Sequence, residues 1–326
     1  MASYPGTLHN YAPRLVAFEF GSQSTPKTNS LLFIGGLTDG LYTVPYVKNI
    51  AEALEPTDWS IFHLHLSSSY GGWGIGSLDR DVEEIGQCVD YVRKLKQKSS
   101  IGSPGKVVIM GHSTGSQDVL HYVHSVNPLP RNPDVDGVRG LTRPVVDGAI
   151  MQAPVSDREA LLDIVKGSPE AGEAYDKLVK FAREQPARTL CPLDLTGLIG
   201  LDPHTPVNAR RFWSLASPGS PGKPSEDDLF STDTTDESLM KTFGQVAKRG
   251  LLRGTLVALY SCNDEYAPEG VNKESLLARW KRATDAGGKK KWDDEASGII
   301  PGASHNVRKE GQEWLIEHVL GYLQRV

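Results

Sequence analysis

The chain alternates between two hydrophobic patterns. In the first, a short continuous run of apolar, often β-branched residues is bounded by Gly, Pro or Asn, as expected for a strand buried on both faces. These runs predict strands at 15–20, 31–34, 61–66, 107–110, 145–151 and 256–260, with a further short strand at 299–300.

In the second pattern, apolar residues recur at spacings of three and four, which is typical of an amphipathic helix. The predicted helices cover 78–95, 115–126, 275–283 and 310–323. Strand and helix follow each other repeatedly, and a parallel pair of strands needs a crossover connection, usually a helix. The sequence therefore predicts an α/β protein with a mostly parallel central sheet and helices on both faces.

One segment departs from this alternation. Residues 154–250 contain helix-like pieces at 157–165, 171–183, 207–215 and 237–248 but no strand pattern. We predict a core formed by 1–153 and 251–326 and a helical cap inserted at 154–250. Within the cap, 217–236 is rich in Ser, Pro, Gly, Asp and Thr, which predicts either a mobile lid loop or an ordinary surface loop whose acidic residues are solvated. Attraction of an amine-bearing ligand by its acidic residues is the alternative interpretation.

Charge and composition narrow the function classes. The 326 residues carry a formal net charge of −5 with a pI near 6.0, which gives no basic field for nucleic acid or anionic lipid. No segment approaches the roughly 18 apolar residues of a membrane span, and the first ten residues do not resemble a signal peptide. Three scattered cysteines form neither a disulfide framework nor a metal motif. We expect a cytoplasmic protein with a small-molecule partner.

The most specific local motif is the pentapeptide GHSTG at 111–115. It follows a predicted strand and precedes a predicted helix, which is the context of the G-x-S-x-G nucleophile elbow. Glycines flank the serine because the turn is strained and its neighbours approach closely. The motif predicts that Ser113 is the nucleophile of an α/β-hydrolase fold.

A serine nucleophile needs a base and an orienting acid, and in this fold they follow in the order Ser, acid, His. Asp264 and Glu265 stand in the loop after the strand at 256–260, and we prefer Asp264 because it lies four residues before Pro268. His305 follows the short strand at 299–300 and is the predicted base. A turn or helix-capping role for Asp264 fits the local sequence equally well.

Two loops are expected to complete the site. The backbone N–H groups of Thr114 and Leu37 are the predicted oxyanion-hole donors, because Leu37 follows the glycine pair after the strand at 31–34 and Gly36 lets that loop approach the substrate. A tight turn that requires glycine is the alternative.

Aromatic and histidine side chains near these loops are the predicted substrate contacts. Tyr70 and Trp73 follow the strand at 61–66, at a carboxyl end where such sheets bind ligands, and we predict an aromatic wall or a packed aromatic loop. His112 lies inside the elbow, where it contacts substrate or supports the turn. His121 and His124 have a metal-ligand spacing but lack a third ligand, so no metal and no cofactor is expected.

Two longer strings are more specific than the pentapeptide. MGHSTGSQD at 110–118 and QAPVSDR at 152–158 resemble the fungal siderophore esterases of the SidJ type. The similarity runs from the glycine pair to the last helix. It implies an intracellular α/β hydrolase that opens ester bonds of fusarinine-type hydroxamate siderophores and so releases iron. It also places the family triad on Ser113, Asp264 and His305.

Other functions stay open at this point. A general carboxylesterase or lipase-like hydrolase of apolar esters keeps the mechanism and changes the pocket. Carbon–carbon bond hydrolysis would use the same three residues. A hydrolase-fold protein that only binds a ligand would leave its ligand unchanged. All four interpretations expect a small-molecule ligand and no cofactor. In the siderophore interpretation, ferric iron arrives as part of the substrate.

Overall fold

A computed structural model gives the structure of residues 3–21, 27–99, 104–135 and 137–326. The other residues of the predicted core segment 1–153 lie outside this description. The described residues form one sheet of eight strands in the order β1-β2-β4-β3-β5-β6-β7-β8. The strands are Gly6–Ala12 (β1), Leu15–Phe20 (β2), Asn29–Ile34 (β3), Trp59–His65 (β4), Val107–His112 (β5), Gly148–Gln152 (β6), Leu256–Ser261 (β7) and Gly298–Ile300 (β8).

Pairing is antiparallel only at the β1 side of the sheet. β1 pairs with β2 and β2 with β4 in antiparallel fashion, whereas every pair from β4 to β8 is parallel. The predicted mostly parallel α/β fold is therefore confirmed. Carboxyl ends of β3, β5, β6, β7 and β8 all lie along one edge, which is where such sheets bind ligands.

Helices connect the strands. They are Val47–Leu54 (α1), Leu78–Ser99 (α2), Thr114–His124 (α3), Asp157–Gly167 (α4), Pro169–Glu184 (α5), Leu193–Leu198 (α6), Ala209–Ala216 (α7), Asp236–Lys241 (α8), Val246–Arg249 (α9), Lys273–Asp285 (α10) and Gln312–Arg325 (α11). Short 3-10 turns occupy Tyr70–Ile75 and Phe243–Gln245. Within the described residues, no helix is both long and apolar enough to cross a membrane.

Both faces of the sheet are covered. Along β3 and β5, Leu32 and Ile109 pack with α2, α3 and α10 in one hydrophobic cluster. Their neighbours Leu31 and Val108 point to the opposite face and pack with α1 and α11 in a second cluster. Side chains alternate in this way because successive residues of a strand point to opposite faces, and the continuous apolar runs of the sequence follow from burial on both sides.

The segment 154–250 divides into two packing units. Helices α4, α5 and α7 form a third hydrophobic cluster that includes Leu161, Leu178 and Phe212. The later part packs instead into the main core, where Phe243 stacks on Trp280 of α10 with ring centroids 5.4 Å apart. The boundary of the cap at 250 stays a prediction, and packing favours a smaller cap that ends after α7.

The predicted solvated acidic loop is wrong for its central residues. Asp227 is 2% exposed and forms an ion pair with the buried Arg211 of α7. Asp228 is 5% exposed and accepts hydrogen bonds from Ser220 and Ser231. A buried guanidinium needs a carboxylate partner, so the polar composition of this loop serves internal pairing rather than solvation.

Candidate active site

Ser113 lies on the sharp turn between β5 and α3. Its backbone has φ 55° and ψ −121°, a conformation that is costly for a residue with a side chain. Added Cβ atoms at Gly111 and Gly115 would come within 1.9 Å of the Gly115 carbonyl oxygen and 2.5 Å of the Ile34 carbonyl oxygen. Only glycine fits at either position, as the motif predicts.

The end of β6 holds this turn in place. The Ser113 N–H donates to the Gln152 carbonyl oxygen at 2.9 Å, and the Ser116 hydroxyl donates to the same oxygen at 2.8 Å. The strained turn is thus fixed by the neighbouring strand, and the serine stands at the carboxyl edge of the sheet.

The loops after β7 and β8 bring an acid to a histidine. Both carboxylate oxygens of Asp264 lie 2.9 Å from Nδ1 of His305, and the two residues are 6% and 4% exposed. Glu265 accepts a hydrogen bond from the His305 backbone N–H at 2.8 Å. Asp264 therefore contacts the imidazole and Glu265 contacts the backbone that carries it.

Ser113, His112 and His305 line one cavity of about 280 Å³. Among the described residues, no hydrogen bond joins the Ser113 hydroxyl to His305, and such catalytic contacts often tighten only in the substrate complex. The apolar lining consists of Leu37, Trp73, Val155, Ala160, Leu161, Ile164, Ile199, Leu201 and Leu215. Acidic groups in the wall are Asp39, Asp157 and Asp202.

The loop after β3 closes against the elbow. A Cβ at Gly36 would lie 2.7 Å from the Ser113 Cβ, so glycine is required by close approach. The Gly36 N–H donates to Asp39 Oδ2 at 2.8 Å. Leu37 lines the cavity, and Thr114 begins α3. In the described part of the chain, the backbone N–H groups of Leu37 and Thr114 have no partner.

Comparison with known proteins identifies the family. Residues 1–324 match the family described as "Protein of unknown function (DUF1749)". The chain belongs to this family. A relative, "Fusarinine C esterase sidJ" of Aspergillus fumigatus, is 48% identical over 98% of this chain and 95% of its own length. The resemblance to fungal siderophore esterases is thereby confirmed.

Two more similar proteins and one distant structure were found. An esterase of Emericella nidulans is 47% identical over 94% of this chain and 88% of its own length. The solved structure "Siderophore hydrolase EstB from Aspergillus fumigatus" is 47% identical with a TM-score of 0.87, covering 99% of this chain and 98% of that one. A more distant α/β-hydrolase-fold protein, 17% identical with a TM-score of 0.57, shares the fold alone.

Two predicted substrate contacts of this DUF1749 member lie elsewhere. Tyr70 is 45% exposed, lies against Gly40, and its hydroxyl donates to the Leu41 carbonyl oxygen at 3.3 Å, so it does not line the cavity. Gly36 lies behind Ser113 and is also absent from the cavity wall. Trp73, by contrast, is buried and does line the cavity.

His112 occupies a buried position beside the predicted base. Its ring centroid lies 4.9 Å from that of His305, and its Nδ1 lies 2.5 Å from Gln152 Oε1. Burial, together with the neighbouring His305, lowers the pKa of His112 to about 4. The ring is therefore uncharged near neutral pH, and it both supports the turn and lines the cavity.

Three residues of this neighbourhood were not predicted from the sequence. Tyr266 lines the cavity with its ring 4.8 Å from that of His305, and its place two residues after Asp264 was the available signal. Asp157 lines the wall, accepts a hydrogen bond from Gln117 at 2.6 Å, and has its pKa raised to about 6 by burial. Gln152 is a polar residue at the end of an apolar strand, which marks it as unusual.

His121 finds acidic neighbours that the sequence did not reveal. Ligand atoms of Asp79, His121 and Glu226 lie within 4.8 Å of one another. Internal ion pairs already engage them, since Asp79 lies 2.7 Å from His121 Nε2 and Glu226 pairs with Arg210. None of these residues lines the cavity of Ser113.

Proposed function

We propose that this protein is a serine esterase that hydrolyses ester bonds of fusarinine-type hydroxamate siderophores and so releases their iron inside the cell. The observation that carries the proposal is the cavity lined by Ser113, on its strained turn, and by His305, whose Nδ1 contacts the Asp264 carboxylate behind it. The names of its relatives, a fusarinine C esterase and a siderophore hydrolase, supply the substrate class.

The proposed mechanism follows from the roles of these groups. His305 takes the proton of the Ser113 hydroxyl as the serine oxygen attacks the ester carbonyl carbon, and Asp264 orients the imidazole and stabilises its charged form. His305 then protonates the leaving alcohol, and an acyl-enzyme remains. A water molecule that loses a proton to His305 attacks this ester, and Ser113 recovers its proton as the acid departs.

Charge that develops on the carbonyl oxygen needs donors that are already in place. We assign this role to the backbone N–H groups of Leu37 and Thr114, which face no competing acceptor among the described residues. One donor of this type is worth about 3–4 kcal/mol in the transition state. The Gly36 N–H is unsuited to the role because it donates to Asp39.

The cavity supports recognition of one arm of a larger substrate. A volume of about 280 Å³ lies at the small end for a ligand pocket, so a multi-arm chelate would extend beyond it. The mechanism requires no cofactor or resident metal, and ferric iron enters as part of the substrate. Cytoplasmic location and the absence of nucleic-acid partners are part of this proposal.

The decisive experiment incubates the protein with fusarinine C, in ferric and iron-free forms, and follows product masses by chromatography. We expect the hydrolysed monomer, and Ser113→Ala should lower turnover by roughly 10⁶-fold. If the siderophore stays intact while p-nitrophenyl butyrate is cleaved in a Ser113-dependent way, the substrate proposal fails and a general esterase remains. Undiminished activity of Ser113→Ala would overturn the nucleophile assignment.

A further inference from the structure

Gln152 ends β6 at the centre of the carboxyl edge of the sheet. Gln152 is fully buried, with 0% of its surface exposed, and β6 lies between β5 and β7. A buried amide is costly unless its donors and acceptors are satisfied. The partners of this side chain therefore indicate why a polar residue ends an otherwise apolar strand.

The main-chain carbonyl and both polar atoms of the Gln152 side chain contact the proposed machinery or its support. Its main-chain carbonyl accepts from the Ser113 N–H, as described above. Its side-chain Oε1 lies 2.8 Å from the Tyr46 hydroxyl and 2.5 Å from His112 Nδ1. Its Nε2 lies 3.2 Å from the Ser261 hydroxyl and 3.4 Å from the His305 carbonyl oxygen.

These contacts fix the orientation of the amide. The His305 carbonyl oxygen can only accept a hydrogen bond, so the group that faces it is the amide NH₂. The opposite atom, Oε1, must then face His112 and accept from it. It follows that His112 carries its proton on Nδ1 and leaves Nε2 unprotonated while the ring is neutral.

We propose that Gln152 is a positioning residue that holds the Ser113 turn and the His305 loop in register and fixes the neutral His112 ring as its Nδ1–H tautomer. One end of the residue is bonded to the nucleophile's turn and the other to the loop of the base. A cation at His112, 4.9 Å from His305 between ring centroids, would oppose the imidazolium that His305 must form. The inference rests on the proposed roles of Ser113 and His305.

Two carboxylates also face His112. Asp39 Oδ2 lies 3.9 Å from His112 Nε2, and Asp264 lies across the His305 ring. Both carboxylates and the hydrogen bond to Gln152 favour the charged form of His112, whereas burial and His305 oppose it and prevail, so the pKa of His112 is lowered. The neutral amide of Gln152 places no charge beside His112, whereas a carboxylate at this position would place a negative charge there.

The test compares Gln152→Met, which removes the amide, with Gln152→Glu, which adds a carboxylate, using p-nitrophenyl butyrate as the probe. Gln152→Met should lower kcat by about 10- to 100-fold, because the serine and the histidine are misplaced. Its KM should stay within threefold of the native value. The acid limb of its kcat/KM profile should still show one ionisation. Gln152→Glu should add a second ionisation, because the carboxylate raises the pKa of His112, so the acid limb steepens from a slope of one towards two.

Gln185→Glu, at an exposed position after α5, is the matched control and should leave rates and slope unchanged. Ser113→Ala is run in parallel. If Ser113→Ala retains activity, the proposed function fails. If Ser113→Ala is inactive and Gln152→Met keeps kcat within threefold of the native value, only the positioning role is overturned. A folded Gln152→Glu with a slope of one overturns the His112 part, and Gln152→Met decides the positioning role if Gln152→Glu does not fold.

Discussion

Ser113 combines a reactive position with a backbone conformation that its side chain does not favour. Its φ of 55° and ψ of −121° belong to a region that glycine adopts more readily than serine. The cost is met by neighbouring contacts, chiefly the hydrogen bond from Ser113 N–H to Gln152. Strain at this residue should therefore lower the free energy of unfolding of the native chain by a measurable amount.

Replacing Ser113 by glycine is expected to release this strain. Because Ser113→Ala keeps the Cβ and removes the same hydroxyl, we expect Ser113→Gly to be more stable than Ser113→Ala by about 1 kcal/mol, after the entropy cost of glycine. Urea unfolding of both inactive variants gives the comparison. A Ser113→Gly variant less stable than Ser113→Ala would show that the turn is not strained.

At the scale of elements, the two halves of segment 154–250 should respond differently to loss of an aromatic ring. Phe243 stacks on Trp280 in the main core, whereas Phe212 lies in the separate cluster of α4, α5 and α7. Phe243→Ala should lower the global free energy of unfolding by about 3–5 kcal/mol. Phe212→Ala should mainly loosen α4–α7.

Hydrogen exchange followed by mass spectrometry distinguishes these effects. In Phe212→Ala we expect faster exchange in α4, α5 and α7 while β5 and β6 keep their protection, as for a locally opening unit. In Phe243→Ala exchange should rise in the strands as well. Uniform acceleration across the chain in both variants would argue against a separate cap.

Some elements could be read from the sequence and others could not. Strands β3 to β7 carry apolar runs buried on both faces, which is a local signal, and β2 alternates between buried and half-buried residues. β1 lies at the edge of the sheet, where His9 is its one buried residue, so its pattern gives no alternation. The predicted helix at 237–248 breaks at Thr242, with φ −113° and ψ −88°, into α8, a turn and α9.

The candidate site was predictable where chemistry requires particular residues in a fixed order. Ser113, Asp264 and His305 could be proposed because the elbow and the order of the partners are local features. Tyr70 was misplaced because its orientation depends on the Gly40 loop from a different part of the chain. The burial of Asp227 depends likewise on Arg211, a contact that no local pattern encodes.

At the scale of the whole molecule, buried carboxyl groups from the core and from the cap surround Arg211 of α7. Burial raises the pKa of Asp81 to about 7 and that of Asp157 to about 6, and it raises the pKa of Asp118 as well. Because these folded-state values exceed the unfolded value of 3.8 for an aspartate, these three groups bind more protons in the folded protein than in the unfolded chain above about pH 4.

The contribution of these carboxyl groups to stability should consequently fall as pH rises from about 4 through 7. For Asp81 alone, a folded pKa near 7 corresponds to a loss of about 1.4 kcal/mol between pH 6 and pH 8. Asp81→Asn removes the ionisation and should flatten the pH dependence by about that amount, whereas Asp176→Asn at an exposed position of α5 should not. Urea unfolding at both pH values measures the difference. An unchanged pH 6-to-8 difference in Asp81→Asn would mean that Asp81 is already ionised in the folded protein at pH 6 and that its burial is balanced by Arg211.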